Sequence, residues 1–396
     1  MQKAMVWFCL SILLFPISAE QFSYKYRDGD MYRILSKVHT DVYINRRFNQ
    51  HTETLNRIAA TVTGVENGSG LHEMTTQTSV QGDHTGAAFQ LDQEYQTIFK
   101  RDALGYYSIS GQYFTPQVRD APVFPDRDLK PGETWTSDGH EVHDFRKTFG
   151  IPEPYRIPFT AHYTFLGNRE WKGQSYPAFS VAYRVFSEPA PIPGSVYPVR
   201  LMEASDETIF WDMQLGQPVA YSEQFRVVFE LSDGSTIEYR GSADAEVIES
   251  EIMDKDTMIE DINQELERLG FDGTNIRVGD EGITIIMDNI QFRPDSPVML
   301  PGEDEKLKKI SEILSKYPDR DILVSGHTAL AGTARAQQQL SEERAGVVAT
   351  YFIQNNIREP SHIMTRGYGA TQPLADNTTE DGRRRNRRVE ITIRQN

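Results

Sequence analysis

The hydrophobic periodicity of the chain changes near residue 246, and this change restricts the folds that the chain can adopt. Before it, apolar and polar side chains alternate, as in residues 179–185, which is the period-two pattern of half-buried strands. After it, Met258, Ile262 and Leu266 recur at helical spacing. The sequence therefore predicts a β-rich part over residues 20–245, followed by a mixed part.

The β-rich part is expected to be antiparallel. A Ser-Asp-Gly-Ser stretch at 232–235 links two alternating runs and predicts a hairpin turn, since Asp-Gly tolerates the positive φ that tight turns require. One large curved sheet or barrel and two smaller units both fit the pattern. Residues 117–144 and 187–198 are rich in proline and are expected to form water-exposed loops. The strands lack the regular spacing of membrane-spanning strands, so a water-soluble domain is favoured.

The mixed part divides into two segments. Residues 246–280 predict a helical lead-in or linker whose helix ends at Gly270. Residues 281–396 predict the order strand, helix, strand, helix, strand, loop, strand, which indicates an α/β sandwich of βαβαββ type. The expected fold class for the whole chain is therefore α+β, with an antiparallel β domain followed by this sandwich.

The N-terminus and the charge indicate the compartment and the partners. Residues 1–19 resemble a secretory signal peptide, and the only cysteine, Cys9, lies within it. A formal net charge of −16 over 396 residues disfavours nucleic acid and anionic lipid as partners. We expect an exported, periplasmic protein whose membrane association is peripheral at most, with association to the outer membrane left open.

Several short motifs occur in order in the C-terminal segment. They are Gly326-His327-Thr328, Leu340-Ser341-x-x-Arg344-Ala345 and Asn386-Arg387-Arg388-Val389-Glu390. Together they resemble the OmpA-like, peptidoglycan-associated domain family over about 115 residues. The resemblance implies that fold for residues 281–396, a non-enzymatic role in the cell envelope, and peptidoglycan as the partner.

The resemblance also implies a pocket for diaminopimelate, in which one residue of this chain differs. In the family, an Asp directly after His-Thr binds the ligand ammonium, and the Arg of the Leu-Ser-x-x-Arg helix binds its carboxylate. Here Ala329 takes the Asp position, while Arg344 is kept. An unmade charge-assisted hydrogen bond costs about 1.5–3 kcal/mol, or roughly a 10- to 100-fold loss of affinity. The candidate pocket residues are Thr328, Ala329, Gln337, Arg344, Asn386 and Arg387.

Three interpretations of Ala329 remain open at this stage. Peptidoglycan binding is lost and the fold serves to dock an envelope protein, or the pocket accepts another stem residue, or binding is weakened without being abolished. Glu342, Glu343 or Asp295 could supply a carboxylate near the pocket. A competing hypothesis is a periplasmic carrier, in which the β domain encloses an apolar ligand.

Other candidate sites are weaker. The five arginines in residues 383–388 could suggest nucleic acid, but contacts with glycan or acidic stem groups fit an exported protein better. Residues 140–144, His-Glu-Val-His-Asp, contain metal-capable ligands, yet their spacing differs from the helical zinc motif His-Glu-x-x-His. They follow a Ser-Asp-Gly turn and are interpreted as a solvated loop. We therefore predict no metal site, no cofactor and no enzymatic activity.

Overall fold

The computed structural model describes residues 19–395, except 82–86, 192–195, 250–252, 272–274, 280, 288–289, 291 and 294. The predicted signal peptide thus lies outside the described residues, apart from Ala19. Strands dominate the described part of the chain, with 50% of its residues in strands and 17% in helices. No described helix combines the length and the apolar character needed to cross a membrane.

In the described residues before 250 there are twelve strands, and all their pairings with one another are antiparallel. They are β1 (Met31–Ile44), β2 (Arg47–Glu66), β3 (Ser69–Gln81), β4 (Phe89–Arg101), β5 (Tyr107–Ile109), β6 (Val118–Arg119), β7 (Thr134–His143), β8 (Tyr155–Trp171), β9 (Gln174–Ser187), β10 (Pro198–Asp212), β11 (Gln217–Leu231) and β12 (Thr236–Glu249). Consecutive strands pair in two runs, β1 to β5 and β6 to β12, and β1 pairs with β12 to join the runs. A four-residue helix, α1 (Arg146–Phe149), follows β7.

An aromatic core lies on one face of strands β8 to β11. The segment before β1 contributes Phe22, which contacts the rings of Phe124, Phe165 and Phe179. The stretch before β7 contributes Phe124, whose ring also lies edge-on to Trp211. The face is therefore covered mainly by irregular chain, and the short helix α1 adds Phe149.

The prediction that residues 117–144 form exposed loops is wrong in large part. Residues 134–143 form strand β7, and Phe124 and Leu129 are buried in the aromatic core. Glu141, which the sequence placed in a solvated loop, is only 1% exposed. The error arose because polar side chains point to the inner face of β7, so the strand lacks the apolar alternation that marks a buried strand.

The C-terminal part alternates helices and strands. Its elements are α2 (Lys255–Arg268), β13 (Asn275–Gly279), β14 (Gly282–Met287), α3 (Asp304–Leu314), β15 (Ile322–Gly326), α4 (Ala334–Gln354), a short 3-10 helix (Pro360–His362), β16 (Ile363–Gly367), α5 (Glu380–Asn386) and β17 (Val389–Arg394). Strands pair in the order β13, β14, β17, β15, β16, and only β15 and β16 are parallel. One apolar core joins the helices to this sheet. Helix α5 occupies part of the stretch that the sequence predicted as a loop.

The predicted α+β fold class is wrong, because the two sets of strands form one sheet. Strand β16 pairs in parallel with β4 through Met364 with Phe89 and Thr365 with Gln90. Leu91, Leu323 and Met364 bury a small apolar cluster beside this pairing. The result is a mostly β chain with a mixed sheet of 17 strands. Periodicity identified strands, but it carries no information on which distant strand each one pairs with.

A buried network of polar side chains connects the N-terminal β part to the C-terminal part, at a contact that we call the junction. Asp321, just before β15, accepts hydrogen bonds from Arg33 (2.8 Å) and Arg57 (3.1 Å) of β1 and β2. His362 lies 2.7 Å from its other carboxylate oxygen, and Arg57 also donates to the carbonyl of Ser361. Burial alone would raise the pKa of Asp321, but His362 and the two arginines outweigh it and lower the pKa to about 2.

Candidate functional site

The turn after β15 is packed tightly against helix α4. A Cβ on Gly326 would lie 2.0 Å from the carbonyl oxygen of Ser341, so only glycine permits this close approach. His327 is buried and stacks on Tyr368 with ring centroids 5.1 Å apart. The Gly-His-Thr motif thus fixes the turn by packing.

Thr328 and Ala329 lie at the start of the candidate pocket, and both are 6% exposed. The Thr328 amide donates to the carbonyl of Gly369 (2.8 Å), and the Leu330 amide donates to the Asn377 side chain (3.0 Å). The Thr328 hydroxyl oxygen is buried without a hydrogen-bond partner among the described residues. The two amide hydrogen bonds fix the backbone on both sides of Ala329, whereas the side chain of Ala329 presents only a methyl group.

Arg344 lies on α4 and is 5% exposed. Its Nε donates to the carbonyl of Ser296 at 3.3 Å, and its guanidinium lies 4.9 Å from the ring centroid of Phe292. Within the described ranges, no carboxylate lies within 4.0 Å of Arg344. Burial lowers its pKa, Arg387 lowers it further, and Asp295 opposes both. The guanidinium is thus a buried cation without a close anion.

The other predicted pocket residues hold the surrounding loops. Gln337 donates to the carbonyl of Ala331 (3.0 Å). Asn386 accepts from the amides of Leu374 (2.7 Å) and Ala375 (2.9 Å).

Arg387 pairs with Glu380 at 2.8 Å on the surface. Its positive charge contributes to the lowered pKa of Arg344.

The three proposed substitute carboxylates make no ion pair with Arg344 in the described structure. Glu342 and Glu343 accept hydrogen bonds from Gln338 (2.7 Å) and Gln339 (2.9 Å), one turn earlier on α4. Asp295 is exposed in a turn with φ of 49° and acts on Arg344 only through its charge.

Sequence reasoning missed two residues that shape the pocket. Asn377 accepts from the Leu330 amide and also from the Asn386 side chain at 3.0 Å, which ties the turn to α5. The Ser341 hydroxyl accepts from the Gly369 amide at 2.9 Å. Ser341 belongs to the Leu-Ser-x-x-Arg motif that carries the resemblance, and that membership was the available signal.

Comparison with known proteins identifies the C-terminal part. Residues 291–387 match the OmpA family. The segment is 35% identical over 105 residues to outer membrane porin F of Pseudomonas fluorescens, covering 26% of this chain and 32% of that protein. It is 34% identical over 124 residues to the probable lipoprotein YiaD of Escherichia coli, covering 31% and 56%. The peptidoglycan-binding protein ArfA of Mycobacterium tuberculosis is 35% identical over 104 residues, covering 26% and 32%.

Solved structures match the same fraction of the chain. An outer membrane protein of Borrelia burgdorferi is 30% identical, with 31% of this chain and 97% of that chain covered and a TM-score of 0.26. The type VI secretion cell wall anchor of Pseudomonas aeruginosa is 24% identical, with 34% and 96% covered and a TM-score of 0.30. The match to the family model places an OmpA family domain at residues 291–387. The chain spans about a third to just over half of the length of these curated relatives.

Proposed function

We propose that this chain is a non-enzymatic cell-envelope protein whose OmpA family domain holds peptidoglycan weakly. The domain's relatives include outer membrane proteins and a protein named for peptidoglycan binding. The intact Gly-His-Thr turn and the buried Arg344 support retention of the scaffold. The weakness follows from Ala329, which cannot accept a hydrogen bond from the ligand ammonium.

The observation that carries this proposal is the isolated charge of Arg344. A zwitterionic amino-acid end requires one cation and one anion at fixed separation. Arg344 supplies the cation, but the described residues place no carboxylate within 4.0 Å of it, and Ala329 supplies none at the position where the family resemblance implies an Asp. Half of the ionic recognition is present, so the domain is suited to a weak contact or to docking a different partner.

We further propose a periplasmic location after removal of residues 1–19. In this scheme residues 20–245 form the β part, residues 246–280 connect it, and residues 281–396 face the cell wall. An interior that accepts an apolar ligand would have favoured a carrier. Phe179, Val181 and Phe229 instead lie in the packed aromatic core, which supports a structural role.

Co-sedimentation with purified peptidoglycan sacculi tests the binding proposal. The unmodified chain should sediment weakly, and Ala329→Asp should bind roughly 10- to 100-fold more tightly, because it restores the charge-assisted bond. Ala331→Asp is the matched control, since it adds the same charge at an exposed position in the same turn. If the unmodified chain sediments as strongly as Ala329→Asp, the pocket is not impaired.

A further inference from the structure

Glu141, His143 and Glu203 form a cluster of metal-capable side chains far from the OmpA domain in the sequence. One ligand atom from each lies within 4.8 Å of the other two. Glu141 is almost fully buried, and its carboxylate oxygen lies 2.8 Å from Nε2 of His143. His143 is held in place by stacking on Phe145, with ring centroids 5.2 Å apart.

The sheet itself brings these side chains together. Glu141 and His143 are two residues apart on β7 and therefore point to the same face. Glu203 lies on β10, and β8 and β9 separate the two strands. Three strand spacings of about 4.8 Å would put the backbones about 14 Å apart in a flat sheet. The short distance between the side chains therefore requires both glutamates to converge over a concave face.

Among the described residues, the cluster leaves one buried carboxyl oxygen atom unsatisfied. Oε2 of Glu203 is buried without a hydrogen-bond partner among the described residues. Glu223 lies nearby on β11 and accepts a hydrogen bond from Ser205 at 2.6 Å. An orphaned carboxylate oxygen beside an imidazole is the arrangement that a cation would satisfy.

We propose that Glu141, His143 and Glu203 bind one divalent transition-metal ion, with zinc as the representative ion. Imidazole nitrogen with carboxylate oxygen suits such ions, whereas calcium and magnesium prefer oxygen ligands alone. Ligands about 2.0–2.2 Å from a tetrahedral ion lie about 3.3–3.6 Å apart. The Glu141–His143 pair, now 2.8 Å apart, would therefore separate slightly, and any distance close to the 4.8 Å limit of the cluster would shorten. This site goes beyond the proposed cell-wall contact and assigns a ligand to the β part.

A second cluster provides a useful contrast. His39, His51 and Glu53 on β1 and β2 also bring ligand atoms within 4.8 Å. However, His51 is exposed and already lies 2.9 Å from Asp41. Water competes for an exposed site of this kind, so the Glu141 cluster is the preferred metal site.

Zinc binding to the full-length exported chain tests the proposal. After chelator treatment and dialysis, titration with zinc chloride should show one ion per chain by calorimetry and elemental analysis. Glu203→Gln keeps the side-chain shape and should weaken binding at least about 100-fold, because it removes a direct ligand. His51→Gln is the matched control and should leave the stoichiometry and affinity unchanged.

Two results would overturn this site. One is a stripped chain that takes up no zinc, and the other is zinc binding that is lost in His51→Gln but kept in Glu203→Gln. If Glu203→Gln fails to fold, X-ray absorption at the zinc edge of the unmodified protein decides the question. The site predicts a nitrogen and oxygen shell with one imidazole, so a shell without imidazole scattering would exclude it.

Discussion

The pocket of the OmpA domain and the concave face of the β part carry opposite imbalances of charge. Arg344 is a buried cation with no carboxylate within 4.0 Å among the described residues. On the concave face, the acidic groups of Glu141, Glu203 and Glu223 lie around the imidazole of His143. At the junction between them, by contrast, Asp321 is matched by Arg33 and Arg57.

This comparison distinguishes buried charges that stabilise the fold from buried charges that are available to bind a ligand. A buried charge is costly unless it is paired and hydrogen-bonded. The junction meets this condition internally, so its charges stabilise the protein. The other two sites do not meet it, and each is therefore a candidate for binding a group of the opposite sign.

The largest expected effect concerns the junction. Asp321→Ala leaves Arg33 and Arg57 without their shared anion and should lower the free energy of unfolding by about 3–5 kcal/mol. Urea unfolding measures this loss. Asp206→Ala breaks the exposed pair with Arg184 and should cost less than about 1 kcal/mol. Equal losses in the two variants would show that the junction charges are not structural.

The next largest effect concerns Arg344, the buried cation of the OmpA domain. In an Ala329→Asp background, Arg344→Gln should reduce sacculus binding by about 1.5–3 kcal/mol, because the ligand carboxylate loses its charged partner. Co-sedimentation at several protein concentrations measures the change. Arg344→Lys keeps the charge but not the planar guanidinium group. Its sacculus binding should therefore lie between that of the Ala329→Asp parent and that of Arg344→Gln. If Arg344→Gln binds as well as its parent, Arg344 does not contact the ligand.

The free energy of unfolding should also depend on pH through Asp321 at the junction. The pKa of Asp321 in the folded state, about 2, is below the ordinary value for an aspartate. Between these two pH values the folded state therefore binds fewer protons than the unfolded state does. This contribution of about 2 kcal/mol is complete above about pH 5 and is lost as pH falls towards 2. Urea unfolding across that range should show the loss, whereas Asp321→Asn should show a flatter profile. An unchanged slope in that variant would assign the acid sensitivity elsewhere.

The smallest effect concerns the ring beneath Arg344. Phe292→Leu keeps an apolar side chain but removes the cation–π contact, and should lower the free energy of unfolding by about 0.5–1 kcal/mol. Thermal and urea unfolding measure it. A loss above about 3 kcal/mol would mean that Phe292 acts chiefly as a core residue.

The sequence predicts which segments form helices and strands better than it predicts which strands pair with one another. Helices α3 and α4 and strands β14 to β17 follow from periodicity, because each buries a regular apolar stripe. Helix α5 was missed because residues 380–386 are almost entirely polar. Its signals are the Thr379 cap, whose hydroxyl accepts from the Gly382 amide at 3.0 Å, and local arginine–glutamate pairs.

The sites show the same limit. The pocket residues were found through motifs, but the position of Arg344 over Phe292 depends on tertiary packing. The cluster of Glu141 and Glu203 was missed because the two residues lie on strands separated by two others. No local pattern relates them, and the curvature that joins them is a property of the whole sheet.

The parallel pairing of β4 with β16 also bears on how the chain is made. The N-terminal end of β4, at Phe89 and Gln90, leaves the ribosome long before Met364 and Thr365 can pair with it. Until then this edge exposes unpaired backbone groups, which can recruit strands of other molecules. A chain cut short before β16 keeps that edge open and is expected to aggregate, so a strand of the C-terminal part covers an edge of the N-terminal sheet.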